Sequence, residues 1–535
     1  MRWCRLCCTS LPMHRATSPA RYWRWTAAGR PGEAVSKLRL LGTNSAIYAG
    51  TSLLQKGSAF LLLPLYTLYL DPQAYGVLAI VTAVNGLLSI VFTLGLTGAV
   101  TRFYFEFQDQ PAQLAEFWGS ILVCVLLLSA AVGGALLVFG ETMLRPIIGD
   151  VPFWPYVALG VMACFFQPFL TTFLSVLQTR NQAARYALVS LAHFALTTVL
   201  TIVLVVVLHQ GVLGALQATL AAAAVFFGVS LWLLRKDITP CLRWRHLRPA
   251  FAYGLPQVPH AAASQVTATT DRLILNAQVG TATAGVYSVG AMMALVVEVA
   301  AQSVNRAYMP LSMAALKSGA PAELAQLRAL GALVVAGFCL LGAGIGLFAR
   351  EMVWLFASPA FAAAADVVPV LAFGGVASAI YYLLVNVLFF DRSAIRYLPL
   401  GTLAAAGLNV GLALLLVPRF GLMGAAWATL LAQVLATVLI AVIGSRFDPV
   451  RWDHGRYALA FGGSLALTLG LGSFELGGLG ADIAARVAAL ALLGVLLGVV
   501  LWNRPLILAE ALMRLLSRQP AAAAALFAGA HRTQA

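Results

Sequence analysis

Apolar runs punctuated by charged residues or by Gly and Pro divide the chain at roughly 43–70, 76–100, 117–140, 153–177, 186–208, 212–234, 251–278, 284–306, 328–349, 365–389, 397–417, 421–444, 457–474 and 484–503. A helix that crosses about 30 Å of hydrocarbon needs about 20 residues, so the pattern predicts about 14 transmembrane helices and an all-α integral membrane protein. Inside four of these runs the polar residues keep helical spacing. In 251–278, Gln257, His260, Ser264, Thr267 and Asp271 follow at intervals of three, four, three and four, which places them on one stripe. Asn44, Tyr48, Thr51 and Gln55 form a stripe in the first run, Asn85, Ser89 and Thr93 in the second, and Glu298, Gln302 and Asn305 in the eighth.

The pattern also repeats. Gly211 to Leu220 reads GVLGALQATL, and Gly421 to Leu430 reads GLMGAAWATL, identical at six of ten positions. Just upstream, Ala183, Arg185 and Tyr186 correspond to Ala394, Arg396 and Tyr397. A period this long is no solenoid unit; it predicts two duplicated lobes. Each lobe holds six spans, an even number, so both insert the same way round and are related by an axis along the membrane normal. The expected organisation is an N-terminal tail at 1–36, a first lobe at 37–236, a basic linker at 237–250, a second lobe at 251–446, two further helices within 457–503 and a C-terminal tail at 504–535. The striped runs are then repeat-related: first with seventh, second with eighth. A single Ser or Thr in a bundle is accounted for by packing between helices. Four stripes on equivalent helices predict a central hydrated cavity.

Composition makes lipid the solvent for most of the chain: 535 residues, 61% hydrophobic and 10% charged, with a mean hydropathy of +0.88. The net charge of +15 could suggest nucleic acid, but its distribution reads as topology. With the amino terminus placed in the cytoplasm, 28 of the 34 Lys and Arg fall on that side. Arg145, Arg350, Arg419 and Arg486 fall on the other, and Lys56 and Arg272 lie within spans. Both termini are therefore expected inside, and no nucleic-acid partner is expected. Of the seven cysteines, Cys124, Cys164 and Cys339 lie in apolar runs as packing thiols, and Cys4, Cys7 and Cys8 have no second Cys or Cys/His pair to complete a zinc site. No metal or cofactor is expected. The Arg-rich start lacks the apolar core of a signal peptide. Near the other end, Glu510 and Arg514 suit either a surface helix or a disordered tail.

Charge inside the spans is scarce: Lys56 in the first, Asp271 and Arg272 in the seventh, Glu298 in the eighth. Ionised groups there need partners or water. Two cations beside a polar cavity can hold a phosphate or pyrophosphate. Arg272 could instead pair with Glu298 or reach outward, and His260 fits either a proton site or a hydrogen-bonded structural histidine. Asp271 and Glu298 are candidates for a coupling ion.

Five segments resemble the polysaccharide transporter family (O-antigen and exopolysaccharide flippases) of the multidrug, oligosaccharidyl-lipid and polysaccharide (MOP) exporter superfamily. They are LLPLYTLYLDPQAYGVLAIV from Leu62, GAVTRFYFE from Gly98, YGLPQVPH from Tyr253, DRLILNAQVGTATAGVYSVG from Asp271 and NVGLALLLVPRFGLMGAAWATL from Asn409. The resemblance implies a bacterial inner-membrane carrier that moves an undecaprenyl-pyrophosphate-linked oligosaccharide between leaflets by alternating access. Polysaccharide polymerase and chain-length proteins would be its partners. It further implies cavity cations for the pyrophosphate, falling here to Lys56 and Arg272, with Arg102 and Arg306 at the inner mouth. Asn44, Tyr48, Gln55, Gln257 and His260 complete the expected substrate-binding surface. A cation-coupled drug or metabolite antiporter and a lipid II flippase are the alternatives within the superfamily. The first span has no Asp or Glu to serve proton-driven drug export. A membrane glycosyltransferase or ligase would want an acidic metal motif or paired carboxylates on an accessible loop; the chain has no DxD and no HExxH. A non-transporting scaffold would have no need of buried charge beside the stripes.

Overall fold

A computed structural model describes residues 62–391, 398–472 and 478–501, together with Ile47, Gly50, Thr51, Leu54 and Phe60. Asn44, Tyr48, Gln55 and Lys56, and the second copy of the Ala-x-Arg-Tyr echo, lie outside the described residues. The described chain is all helical. The first span is represented by α1 (62–69). The rest of the first lobe is α2 (Pro72–Thr93), α3 (Leu96–Phe107), α4 (Pro111–Ile148), α5 (Ala158–Thr179), α6 (Ala183–Thr201, continued to Val207 by a wider turn) and α7 (Gly211–Leu234). Across the linker follow α8 (Trp244–Gly254), α9 (Val258–Gln278), α10 (Thr281–Ser318), α11 (Pro321–Leu347), α12 (Ala349–Phe356), α13 (Ala364–Phe390) and α14 (Leu398–Gly444). The chain closes with α15 (His454–Gly472) and α16 (Leu479–Leu501).

Ten described helices are long and apolar enough to cross a membrane. One of these stretches, 403–444, is two spans joined at Gly421, where the backbone leaves helical geometry at φ 53°. With the first span, the polar α9 and the shorter α15, the total is the expected 14.

The repeated decapeptide is a turn specification. Gly211 and Gly421 both take positive φ, 58° and 53°, where a Cβ would be strained. Three residues on, a Cβ at Gly424 would lie 2.3 Å from the Leu416 carbonyl oxygen, and one at Gly214 would lie 3.0 Å from the Leu204 backbone. The first glycine of each copy reverses the chain; the second lets the returning helix touch the one before it.

The second span differs from its expected form. It breaks at Leu94 (φ 43°) and Gly95 (φ 72°), ending α2 and sending α3 off as a separate amphipathic helix. The break packs on the junction of α8 and α9: a Cβ at Gly95 would meet the Gly254 carbonyl oxygen at 2.5 Å.

The lobes meet where α2 packs on α9 and α10. At the arginine-poor end this seam is closed. The buried Asn276 donates from Nδ2 to the Ile148 carbonyl at 2.6 Å and accepts from Thr281 Oγ1 at 2.8 Å. Around it Phe60 packs on Phe356, and Tyr75 on Phe361.

At the arginine-rich end the linker is fastened to α4. Glu116 Oε2 accepts from Arg243 at 2.8 Å and Arg245 at 2.6 Å, with His246 Nε2 at 3.4 Å. Thr239 N–H donates to the Ala115 carbonyl at 3.0 Å, and Cys241 Sγ lies 3.3 Å from Ser120 Oγ. Beside it Arg180 pairs with Asp237 at 2.8 Å and lies over the Trp118 ring. Helix α8 is thereby held to the first lobe, while α9 packs chiefly with the second.

Two outcomes follow. Gly424→Ala forces a methyl into the Leu416 backbone and is expected to cost about 1–3 kcal/mol. Gly411→Ala, where nothing lies within 4 Å of the new methyl, is expected to be neutral or mildly stabilising; thermal unfolding in detergent compares the two. The Glu116 carboxyl is held below its ordinary 4.5, first by the Arg245 hydrogen bond and then by His246 and Arg243, against a desolvation effect that raises it. A depressed carboxylate stabilises above its ordinary value and loses that contribution as pH falls through the lowered one. The protection of amides 237–254 against hydrogen exchange, relative to the intrinsic rate at each pH, should therefore be constant above about pH 5 and fall in stronger acid, and Glu116→Gln should flatten that dependence.

Candidate functional site

Two cavities lie along α9. The smaller, about 370 Å³, sits between the lobes near the Leu94–Gly95 break, lined by Ser89 and Thr93 of α2, Gln167 and Thr171 of α5, and Gln257. The larger, about 550 Å³, lies within the second lobe among α9, α10, α13 and α14. Both are of a size that holds a small molecule. Ser264, Thr267 and Asp271 of the α9 stripe open into the larger cavity, as do Glu298 and Gln302 of the α10 stripe.

Its charge is acidic. Asp271 is buried and accepts from Tyr287 Oη at 2.5 Å and from its neighbour's backbone N–H, at Arg272, at 2.8 Å. Thr429, the repeat mate of Thr219, stands 3.5 Å from Tyr287 Oη. Glu298 accepts from Tyr382 Oη at 2.8 Å and from Gln302 Nε2 at 3.0 Å. Among the described residues no Lys or Arg lines this cavity.

Consecutive helical residues are about 100° apart, and the pair Asp271–Arg272 uses that step. The carboxylate enters the second lobe; the half-buried guanidinium does not line that cavity and lies within electrostatic reach of the Tyr75 hydroxyl of α2 as well as of Tyr287 of α10. Arg272 Nε is buried with no hydrogen-bond partner among the described residues. No ion pair joins Arg272 to Glu298.

The other expected residues are spread out. Gln257 is exposed, donates to the Tyr253 carbonyl at 3.1 Å and borders the smaller cavity. His260 is exposed one turn on. Arg102 is exposed on α3, 3.8 Å from Glu106 and over the Phe103 ring. Arg306 is exposed on α10 toward the arginine-rich end. Sequence reasoning missed Tyr287, Tyr381, Tyr382 and Gln433, which line the larger cavity, and Gln167 and Thr171 of the smaller one. A signal existed for Tyr382: with Ser378 and Asn386 it forms a four-and-four stripe inside an apolar run.

Residues 41–315 match a family model described as polysaccharide biosynthesis protein. Among curated proteins, the chain is similar to the Lsg locus protein 1 of Haemophilus influenzae, 26% identical over 280 residues, covering 51% of this chain and 66% of that protein. It is also similar to an uncharacterized membrane protein of the same organism, 23% identical over 282 residues, covering 52% and 66%. Each match thus falls just short of two thirds of the relative's length. Among solved structures, the lipid II flippase MurJ in an inward closed conformation aligns with a TM-score of 0.65 at 13% identity, covering 85% of this chain and 98% of the other. An inward-facing multidrug resistance MATE family transporter of the MOP superfamily aligns at 0.60 and 18%, covering 74% and 95%. At these identities the structural likeness is one of fold.

Proposed function

The chain belongs to the polysaccharide biosynthesis protein family and has the fold of the MOP superfamily, and from that premise we propose that it is a flippase for a polyprenyl-pyrophosphate-linked oligosaccharide in the bacterial inner membrane. The observation that carries this reading is the position of α9, a polar helix with a cavity on either side of it in a bundle otherwise built for hydrocarbon. A sugar headgroup needs a path lined by hydroxyls and amides; the polyprenyl tail can stay in lipid. Alternating access fits two lobes that share one polar seam and are tied shut at one end only by Asn276 and its neighbours.

The pyrophosphate is assigned to Arg272, on the face of α9 that looks toward the first lobe, together with Lys56 of the first span. Arg102 and Arg306, exposed toward the arginine-rich end, would meet the anionic headgroup first. That end is the cytoplasmic one by its basic loops.

The acidic character of the larger cavity favours a second reading, a cation-coupled antiporter. Asp271 and Glu298 suit a cation and repel a phosphate. The two readings are compatible if the carboxylates couple the transport that the cations bind.

In a strain whose surface glycan depends on this chain, Arg272→Ala and Lys56→Ala should lower surface glycan on the order of tenfold or more at unchanged protein abundance. Arg272→Lys should keep part of it, because a point charge replaces a fork. Normal glycan in both alanine variants would overturn the pyrophosphate assignment. Export of cationic drugs that fails with Asp271→Asn, beside intact glycan, would favour the antiporter.

A further inference from the structure

The α10 stripe does not stop at Asn305. Glu298, Gln302, Asn305, Tyr308 and Ser312 follow at four, three, three and four, a single face running from the larger cavity toward the arginine-rich end. Facing it on α13 are Ser378, Tyr382 and Asn386, each four apart. Tyr382 donates to Glu298 at 2.8 Å and Asn386 Nδ2 to Asn305 Oδ1 at 3.0 Å, so the polar stripes meet across the most closely packed part of the second lobe.

Beyond Asn305 the seam is polar and unsatisfied. Tyr308 is 2% exposed, Ser312 0%, Asn386 1% and Tyr457 of α15 3%. Yet Tyr308 Oη, Ser312 Oγ, Asn386 Oδ1 and Tyr457 Oη have no hydrogen-bond partner among the described residues, and neither has Trp452 Nε1. The Tyr308 hydroxyl is within electrostatic reach of Tyr457 and of Asp448, which caps the Val450 and Trp452 amides at 2.8 and 3.0 Å. A buried polar group left without a partner destabilises the fold unless something bonds it. Two voids of about 10 Å³ each, the space of one water, lie along the seam: in one Asn305, Tyr308 and Tyr382 stand among apolar side chains such as Val334 and Phe338, and in the other Asp448, Trp452 and His454 stand beside Leu384, Val387 and Ile440.

We infer that this seam holds a file of internal water that carries protons between the arginine-rich face and the Glu298 carboxylate. Tyr382 gives its hydroxyl proton to Glu298 and takes one from the water behind it, so no charge is left on the phenol. At the surface end Asp453, Arg328 and Asp448 all lie within electrostatic reach of the Tyr457 hydroxyl. The titratable groups that share the cavity with Glu298 are Asp271 of α9, Tyr287 of its own helix, and Tyr381 and Tyr382 of α13; α14 contributes Thr429 and Gln433, which do not titrate. Tyr382, a residue of the seam, bonds Glu298 directly, whereas the donors to Asp271 are Tyr287 and the Arg272 backbone N–H, which lie off the seam; Glu298 is therefore the group the seam serves. The route is separate from the space between the lobes, so Glu298 can exchange protons with one face whichever way the lobes are open. Only the use of the proton for transport rests on the flippase reading; hydration and conduction do not.

The test uses the full chain in nanodiscs and follows, through the infrared absorption of the protonated carboxyl after a pH jump, the rate of proton uptake at Glu298. Glu298→Gln should abolish proton uptake. Ser312→Val should lower it at least tenfold, while Ser312→Thr, of the same shape but keeping the hydroxyl, should retain it. Tyr308→Phe should slow it, and size-exclusion profiles confirm that each variant is folded. No uptake in the unaltered chain, unchanged uptake in Ser312→Val and Tyr308→Phe, or equal loss in Ser312→Val and Ser312→Thr would overturn the inference. Seam-dependent uptake by a chain whose deletion leaves surface glycan unchanged would sink the flippase assignment and leave the seam standing; glycan that depends on the chain, without seam-dependent uptake, would do the opposite.

Discussion

A helix as polar as α9 cannot stand in hydrocarbon, and the bundle is arranged around that constraint. Its stripe of Ser264, Thr267 and Asp271 is wrapped by α2 on one side and by α10 and α14 on the other. Helices that face lipid on their outer sides supply the wrapping, and their own few polar residues turn inward to meet it. Tyr287 reaches Asp271 from α10, and Thr429 backs Tyr287 from α14. The cavity is the space left when a polar helix is enclosed by helices whose inward residues are small: Ala291 and Ala294 of α10, Gly374 and Gly375 of α13, Gly401 and Ala405 of α14.

Enclosure also separates charge. Because neighbouring residues on a helix point about 100° apart, Asp271 and Arg272 divide between the two sides of α9, giving the second lobe a carboxylate and the seam between the lobes a guanidinium. Glu298 adds to the acidic side. One helix thus supplies opposite electrostatic environments on its two sides.

Much of this was legible in the sequence, for identifiable reasons. Hydropathy located the spans because lipid leaves no other way to satisfy the backbone. The decapeptide repeat was visible because Gly211 and Gly421, with Gly214 and Gly424, answer the same two backbone demands. Ser89, Thr93, Ser264, Thr267, Asp271, Glu298 and Gln302 border cavities because a helical stripe exposes its period directly. The break at Leu94 was hidden: it sits in an apolar run with no charge or proline, and Gly95 resembles many packing glycines. Tyr287 and Tyr382 were hidden because an aromatic ring counts as apolar in any periodicity, while its hydroxyl does the chemistry. The lateral order of helices, which placed the larger cavity inside the second lobe, has no signature in a one-dimensional pattern.

Helix α9 is fastened differently at its two ends, and this sets how the lobes can move. At the arginine-rich end α8 is clamped to α4 through Glu116, so any motion of the second lobe relative to the first must be absorbed between Gly254 and Val258. That segment is a tighter turn containing Pro256, which has no N–H to give, and it faces the Leu94–Gly95 break of α2. Two interrupted helices in contact form a natural pivot. At the other end Asn276 ties α9 to the α4 terminus, and separating the lobes there breaks its bond to the Ile148 carbonyl while the Thr281 bond stays within the second lobe, at about 1–3 kcal/mol for each group left unbonded. Arg272 lies one turn from this tie, and Asp271 five residues from it. A force applied at either residue acts through about 6–8 Å of rigid helix on the Asn276 contact, whereas at the pivot end the same force meets a joint that already bends.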